Sequence, residues 1–147
     1  MRAVVQRVSR ASVTVDGEVV GRCGQGLLVL VAAHRDDTER EAAKLADRVA
    51  KLRIFNDGEG KMNLALGDLV PPGSVLAVSN FTVYGETAKN RRPSFIESAP
   101  YEAGKELYES FLAALRGMGI HVETGIFGAH MDVELVNDGP VTVIVEG

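Results

Sequence analysis

Residues 3–33 read AVVQRVSRASVTVDGEVVGRCGQGLLVLVAA, and they give the clearest indication of the fold class. It is rich in β-branched residues, and the segment SVTV at 12–15 alternates apolar with polar side chains, the period of a strand with one buried face. Asp16-Gly17 supplies a two-residue hairpin turn in the middle of the stretch. The pattern predicts four strands, at Ala3–Val8, Ala11–Val15, Glu18–Cys23 and Leu27–Ala33.

Two helices are predicted from apolar spacing and capping residues. Thr38 and Glu41 have the spacing of a capping box, so the first helix should begin near Asp37-Thr38. Its apolar residues recur at helical spacing: Ala42, Leu45, Ala46, Val49 and Leu52. The second helix is predicted from about Pro100 to Met118, with Ser98 as its cap. Its predicted buried stripe is Leu107, Phe111, Ala114 or Leu115, and Met118.

Three more strands are predicted in the second half of the chain. Val75–Ser79 follows a Pro-Pro-Gly break and is expected to continue as strand through Tyr84. His130–Val136 and Val141–Val145 close the chain, joined by a turn at 137–140. Because the strands come in runs rather than alternating with helices, we predict one domain over residues 1–147. Its fold should be α+β, with a mostly antiparallel, barrel-like sheet flanked by two helices.

Composition narrows the class of protein. Apolar residues make up 46% of the 147 residues, yet no apolar run approaches the roughly 20 residues of a membrane span. The N-terminus lacks a signal sequence, and Cys23 is the only cysteine, which suits a reducing compartment. We therefore expect a soluble cytoplasmic protein with no membrane partner. No Cys/His cluster has the spacing of a zinc site, so we expect no metal and no other cofactor.

The charge pattern gives a weaker indication. The net charge of −4 argues against a protein that coats nucleic acid through bulk charge, but it allows contact with the end of an RNA. Lys89, Arg91 and Arg92 form the one local concentration of basic residues. Charge alone favours interpreting this segment as a solvated loop.

Histidine and cysteine side chains offer no clear catalytic pattern. His34 follows a predicted strand, and His121 and His130 are placed at the starts of late strands. None belongs to a Ser/His/Asp or Cys/His arrangement, so each is interpreted as an edge or surface histidine. Cys23 lies in a predicted strand beside Arg22 and is interpreted as a buried, inert thiol.

Two polar segments are better candidates for a site. Ser79-Asn80-Phe81-Thr82 follows an apolar strand and could line a pocket, although Ser and Thr there could equally cap the strand while Phe81 fills the core. Asn137–Thr142 contains ordinary turn residues, but its Gly139-Pro140 pair is unusual at a strand junction because proline cannot donate to the ladder. That bond is a candidate for the cis form, with carbonyls open to a ligand.

The segments SNFT at 79–82 and NDGPVT at 137–142 together resemble the two signature segments of the D-aminoacyl-tRNA deacylase family. Four further segments share the resemblance: VVQRVSRASV at 4–13, RIFNDGEGKMN at 53–63, RRPSF at 91–95 and TGIFGAHMDVELVNDGPVT at 124–142. The resemblance covers nearly the whole chain. One departure is that Asn80 replaces the glutamine usual in the first signature, which shortens the side chain by one methylene.

The resemblance implies an activity and a first set of site residues. The enzyme would hydrolyse the ester between a D-amino acid and the terminal adenosine of tRNA, and also glycyl-tRNA mischarged on tRNA-Ala. Ser79, Asn80 and Thr82 would be catalytic and Phe81 would bind substrate, with backbone N–H groups as oxyanion donors. The adenosine 2′-hydroxyl would help to position or activate water. Attack by Thr82 itself is the alternative, ranked lower because no base is evident beside it.

The second signature is implied to act as a chirality filter. Gly139-Pro140, as a cis peptide from the opposite subunit of a homodimer, would reject L-aminoacyl esters by collision. Asn137 belongs to the same substrate-binding segment. Arg7 either braces this loop or is an ordinary surface arginine on a strand.

Two other classes of function remain open at this point. One is a non-catalytic module that binds an RNA end, and the other is a general Ser/Thr hydrolase of small esters or amides. Comparison of D- and L-tyrosyl-tRNA as substrates separates them from a chiral deacylase.

Overall fold

A computed structural model describes all 147 residues. It contains eight strands and two α-helices. The strands are β1 (Arg2–Val15), β2 (Glu18–Cys23), β3 (Gly26–Ala32), β4 (Phe55–Asn56), β5 (Met62–Leu64), β6 (Ser74–Ser79), β7 (Val122–Thr124) and β8 (Asp132–Glu146). The helices are α1 (Glu39–Ala50) and α2 (Tyr101–Gly117), and Leu66–Asp68 and Phe81–Tyr84 form short 3-10 turns.

The main sheet is built around one long strand. Strand β1 pairs antiparallel with β2, β3 and β8, which confirms the expected antiparallel character of most of the sheet. The order β2-β1-β3-β6-β7 then continues through two parallel pairs, β3 with β6 and β6 with β7. The two N-terminal strands predicted separately are therefore one continuous strand. The 14 residues of β1 are enough to pair with β2 and β3 in turn along one edge and with β8 along the other.

The sheet curls until its two ends nearly meet. Strands β2 and β7 lie at opposite ends of the strand order but are in contact. Gly21 stands at this contact, where a Cβ atom would overlap the carbonyl oxygen of Thr124. A glycine allows the two backbones to approach that closely. The fold is thus α+β with a barrel-like sheet, as predicted.

Strand β3 shows how the sheet separates two apolar clusters. Leu27, Val29 and Val31 point to the side covered by the helices and join the larger cluster there. Leu28 and Leu30 point to the opposite side and belong to, or pack against, a smaller cluster inside the curl of the sheet. This alternation follows from the period of two in a strand. Both faces are therefore apolar, and the helices cover only one of them.

The first helix follows its sequence pattern closely. Thr38 is the N-cap, and the reciprocal bonds of a capping box link it with Glu41. Its buried residues are Ala42, Leu45, Ala46 and Val49, while Leu52 lies beyond the end of the helix. The predicted start and face of α1 are confirmed.

The second helix has its predicted extent to within one residue at each end, but its predicted cap and its last predicted buried residue were wrong. Pro100 is the N-cap of α2 and makes no side-chain capping bond, so Ser98 as the cap was wrong. At the other end the helix ends at Gly117, and Met118, its C-cap, is 42% exposed and so does not belong to the buried stripe. The buried face consists of Leu107, Tyr108, Phe111, Leu112 and Leu115.

Two strand predictions were also wrong. Strand β6 ends at Ser79 and the chain turns at Asn80 into the 3-10 turn Phe81–Tyr84, so strand does not continue through Tyr84. The last two predicted strands are one strand, β8, because both halves pair with the long β1. Residues 138–141 have no partner on β1 and form a bulge rather than a hairpin. No helix is both long and apolar enough to cross a bilayer.

Candidate active site

A cleft of about 940 Å³ lies where the face of the sheet that the helices leave uncovered meets the start of α2. Its floor is formed by apolar side chains of the sheet, namely Leu28, Leu30, Val78, Val133 and Leu135. The start of α2 and the segment around Phe127 form another wall. All four residues of the first candidate segment, 79–82, line the cleft. The interpretation that they line a pocket is thus the one the structure supports.

The 79–82 segment is shaped by the side chain of Asn80. This side chain caps the 3-10 turn, because its Oδ1 accepts from the backbone N–H of Thr82 at 3.2 Å. The same oxygen accepts from the hydroxyl of Thr82 at 2.5 Å. An amide oxygen is not a base at neutral pH, so the contact orients the hydroxyl without activating it. Phe81, between them, is 58% exposed rather than buried in the core.

The turn is held against the rest of the cleft by two contacts. The hydroxyl of Ser98 donates to the carbonyl oxygen of Phe81 at 3.0 Å. The ring of Phe95 packs edge-to-face on the ring of Phe81, with centroids 5.1 Å apart at 77°. Both Ser98 and Phe95 line the cleft. The exposed Phe81 side chain is therefore fixed in place although it lies at the rim.

The cleft lining is almost free of charged groups. It contains no Asp, Glu, Lys or Arg side chain, and its polar side chains are hydroxyl, amide and phenol groups apart from His130. The side chain of His130 is 95% exposed and lies 3.7 Å from Asp132, so it stands at the mouth of the cleft. Burial raises the pKa of the Tyr108 phenol, whose hydroxyl donates to the carbonyl of Ala77 at 3.0 Å. The lining thus offers hydrogen-bond donors but no carboxylate.

The remaining histidines and the cysteine lie outside the cleft. His34 packs edge-on against Tyr84, and His121 lies 3.2 Å from Glu123 at the surface. Burial raises the pKa of Cys23 to about 11, which agrees with an inert thiol. No group of three or more His, Cys, Asp and Glu side chains is arranged to hold a metal ion.

The second candidate segment forms the bulge of β8. Asp138, Gly139 and Pro140 are exposed, and the Gly139-Pro140 bond is cis, as predicted. Asn137 closes the bulge: its Oδ1 accepts from the N–H of Val141 at 2.7 Å, and its Nδ2 donates to the carbonyl of Val141 at 3.1 Å. The side chain of Asn137 therefore takes the place of ladder partners that the bulge lacks.

Arg7 connects this bulge to the body of the protein. It is the only buried charged residue, at 7% exposed, so it is not a surface arginine on a strand. Its Nε donates to the carbonyl of Asp138 at 2.7 Å. Its Nη1 donates to the carbonyl of Ile54 at 2.7 Å and to Oδ1 of Asn56 at 3.3 Å. One guanidinium thus ties the bulge to the segment before β4.

The two candidate segments do not share one cleft within the chain. Residues 79–82 line it, whereas Arg7, Asn137, Gly139 and Pro140 do not. Gln6 is the link between them, since it lines the cleft and its Oε1 accepts from Nδ2 of Asn137 at 3.2 Å. The bulge therefore lies beside the cleft of its own chain and faces solvent.

Sequence reasoning missed three residues of the site: Gln6, Phe95 and Ser98. Gln6 precedes Arg7 on β1 and so points to the opposite face, a relation that alternation along a strand could have suggested. Phe95 lies in the quoted RRPSF segment, but nothing local in the sequence indicates its contact with Phe81. Ser98 was predicted as a helix cap instead, because its actual contact, with the carbonyl of Phe81, is tertiary and leaves no local signal in the sequence.

The fold and the site together define a class of protein. A small α+β barrel holds an uncharged, largely apolar cleft beside a fixed turn that carries two hydroxyl groups and an amide. Such a site binds an apolar or aromatic group and presents hydrogen-bond donors to a neighbouring polar bond. Its chemistry therefore rests on hydrogen-bond donors rather than on a carboxylate acid or base.

Comparison with known proteins makes the class specific. The D-Tyr-tRNA(Tyr) deacylase family model matches residues 4–146. A D-aminoacyl-tRNA deacylase of Carboxydothermus hydrogenoformans is 56% identical over 146 residues, covering 99% of each chain. One of Desulfitobacterium hafniense is 55% identical over 99% of this chain and 97% of its own. The chain therefore belongs to the D-Tyr-tRNA(Tyr) deacylase family, and it is a hydrolase of carboxylic ester bonds.

Two solved structures have the same fold. A protein described as c-Myc DNA Unwinding Element Binding Protein superposes with a TM-score of 0.92 at 38% identity, covering 100% of this chain and 99% of the other. A probable eukaryotic D-amino acid tRNA deacylase superposes with a TM-score of 0.83 over 99% and 98%. At 20% identity, the second likeness concerns the fold alone.

Proposed function

We propose that this protein is a cytoplasmic, single-domain D-aminoacyl-tRNA deacylase that proofreads the chirality of aminoacyl-tRNA and also removes glycine mischarged on tRNA-Ala. The observation that carries the proposal is the end-to-end family match, in a chain whose first signature segment lines the cleft. The released products would be a free amino acid and tRNA. Glycine would be accepted because it has no side chain for the filter to reject.

The chemistry proposed for the cleft is attack by water assisted by the substrate. Ser79, Asn80 and Thr82 would line the ester, with backbone N–H and hydroxyl groups stabilising the oxyanion. The absence of carboxylates from the lining means that the chain itself supplies no strong base there. The adenosine 2′-hydroxyl would then orient or activate the water. Thr82 would not be the nucleophile, because the acceptor of its hydroxyl hydrogen is an amide oxygen, which cannot act as a base.

The stereochemical filter proposed here needs a second copy of the chain. Gly139 and Pro140 are exposed and lie outside the cleft of their own chain. In a two-fold homodimer, the bulge of one subunit would enter the cleft of the other and its carbonyls would collide with an L-side chain. The apolar wall formed by Met131, Val133 and Leu135, only partly buried in one chain, would supply contact surface. Arg7 and Asn137 would hold the bulge in position.

The deciding experiment compares matched D- and L-tyrosyl-tRNA with the purified protein. We expect rapid release of tyrosine from the D-substrate and a rate near the uncatalysed one for the L-substrate. Glycyl-tRNA-Ala, measured in parallel, should also be hydrolysed. Tight binding of D-tyrosyl-tRNA without turnover would indicate an RNA-end binding module instead. Light scattering tests the dimer: a fully active monomer of about 16 kDa, close to the chain mass of 15.7 kDa, contradicts the shared site.

A further inference from the structure

The segment 86–94, here termed the basic arm, projects from the protein beside the cleft. Its ends are joined by two backbone hydrogen bonds, from the N–H of Glu86 to the carbonyl of Ser94 at 2.8 Å and from the N–H of Ser94 to the carbonyl of Glu86 at 3.0 Å. All residues between these ends are exposed. The arm is thus a closed loop whose tip faces solvent and whose base is fixed.

The base of the arm is continuous with the rim of the cleft. Phe95, directly after the arm, lines the cleft and packs on Phe81. On the other side, Gly85 precedes the arm and follows the 3-10 turn that carries Thr82. The arm therefore starts and ends at the turn that forms the candidate active site, and a ligand leaving the cleft past Phe81 passes beside it.

The arm concentrates positive charge that has no partner in the chain. Lys89, Arg91 and Arg92 take part in none of the ion pairs or side-chain hydrogen bonds of the protein, although its net charge is −4. The only carboxylate of the arm, Glu86, accepts from the backbone N–H of Ala88 instead. Three positive charges within four residues repel one another, and a bound anion would stabilise them.

We infer that the basic arm binds phosphate groups of the single-stranded 3′ end of tRNA while the cleft holds the terminal adenosine and its amino acid. This inference rests on the proposed function. The cleft lining carries no Lys or Arg, and the ammonium group of Met1, a lining residue, is paired with Asp37 at 2.6 Å, so attraction for a polyanion has to come from outside it. Arginine forks suit phosphate oxygens, and phosphate contacts position a nucleic acid without reading its sequence. The arm therefore orients tRNAs of any sequence.

The expected effect follows from counterion release. Each phosphate contact on a single strand contributes about 0.7 to the slope of log affinity against log salt, so three contacts contribute about 2. A slope of about 2 corresponds to roughly a 15-fold change between 50 and 200 mM salt. Removing the three charges should therefore lower kcat/KM for D-tyrosyl-tRNA at low salt and flatten its salt dependence by about 2, so that the wild-type to variant ratio is about 15-fold larger at 50 mM than at 200 mM salt.

The test compares a large substrate with a minimal one. The variant Lys89→Gln/Arg91→Gln/Arg92→Gln is assayed on D-tyrosyl-tRNA and on 3′-O-(D-tyrosyl)adenosine, which has the ester but no phosphate. We expect the variant to lose kcat/KM on D-tyrosyl-tRNA and to keep the wild-type value on the adenosine ester. The control Arg40→Gln/Lys44→Gln/Lys51→Gln changes the net charge equally on α1 and its C-cap. These residues contribute nothing to the cleft lining, so the control should behave as the wild type. Arg91→Lys/Arg92→Lys keeps the charge and should retain most of the activity.

Three outcomes overturn the inference. An equal loss on both substrates means that the arm only supports the cleft, an equal loss in the α1 control means a bulk charge effect, and unchanged kinetics mean no contact. Binding of tRNA that carries no amino acid, measured by fluorescence anisotropy at several salt concentrations, supplies a readout independent of turnover. If the wild type binds tRNA through the basic arm but hydrolyses no D-aminoacyl ester, the proposed function is contradicted while the inference about the arm is supported.

Discussion

Replacing Arg7 by Met removes the only buried charged side chain of the protein and with it the connection between the bulge at 138–141 and residues 54–56. The three bonds of Arg7 go to two backbone carbonyls, of Asp138 and Ile54, and to the side chain of Asn56. Methionine fills much of the same volume without offering a donor. The substitution therefore changes hydrogen bonding far more than packing.

The expected loss of stability can be worked from these contacts. The bond to Ile54 is buried, and losing it leaves a carbonyl oxygen without a partner; hydrogen bonds from charged groups contribute about 1.5–3 kcal/mol each. Asp138 is exposed, so water can replace Arg7 at its carbonyl and that loss is smaller. The free energy of unfolding should fall by about 2–4 kcal/mol in total. If the bulge is the chirality filter, the ratio of D- to L-tyrosyl-tRNA hydrolysis should fall as well.

The assay is urea unfolding at pH 7 together with both deacylation rates. Arg10→Met is the matched control, because Arg10 lies on the same strand, its side chain is 66% exposed, and its ion pair with Glu134 at 3.5 Å is of the surface kind that contributes under about 1 kcal/mol. Arg7→Lys keeps the charge but cannot reach both carbonyls, and should be intermediate. An Arg7→Met protein as stable as the Arg10→Met protein refutes the bracing role, and reduced stability with unchanged selectivity refutes the link to the filter.

Three further predictions concern the turn and the cysteine. Thr82→Ala should slow hydrolysis of D-tyrosyl-tRNA by less than about a hundredfold, because a covalent nucleophile would cost far more; an acyl-enzyme trapped on Thr82 contradicts this. Asn80→Ala should lose a cap worth about 1 kcal/mol and free the Thr82 hydroxyl, lowering kcat with little change in fold by circular dichroism. Cys23 should resist iodoacetamide in the folded protein, and blocking reagents should leave activity intact. Its pKa is raised from 9.0 to about 11, so stability should be unaffected below pH 9 and should fall between pH 9 and 11 relative to a Cys23→Ala control.

Local signals in the sequence predicted those parts of the fold that local interactions determine. The capping box at Thr38 and the apolar spacing after it fixed the start and face of α1, because both depend on residues within four positions of one another. The hairpin at Asp16-Gly17 is of the same kind. The errors lie where distant contacts decide. Strand β8 is continuous because β1 is long enough to pair with both of its halves, and no turn residue at 137–140 reveals that.

The candidate site divides in the same way. Residues 79–82 could be proposed as pocket-lining because polar side chains at the end of an apolar strand are informative on their own. Alternation along β1 could place Gln6 on the face opposite Arg7, but the contacts of Gln6 and Ser98 could not be predicted. Each acts through a partner more than fifteen positions away, Asn137 for Gln6 and Phe81 for Ser98. The burial of Arg7 also needs the tertiary structure, since its partners are in two segments far along the chain.

If the bulge at 138–141 is the chirality filter, it has to resist displacement by an L-side chain, and two features of the bulge restrain it. Asn137 binds both the N–H and the carbonyl of Val141, which closes the bulge across its base. Gly139 is packed so closely that an added Cβ would lie 2.5 Å from the backbone nitrogen of Val141. An Ala at position 139 would therefore have to move the bulge itself before its methyl group could reach any ligand. Any effect of Gly139→Ala on selectivity would therefore come from displacement of the carbonyls of the bulge. In a pocket that is merely narrow, the added methyl group would instead act by filling space next to the ligand.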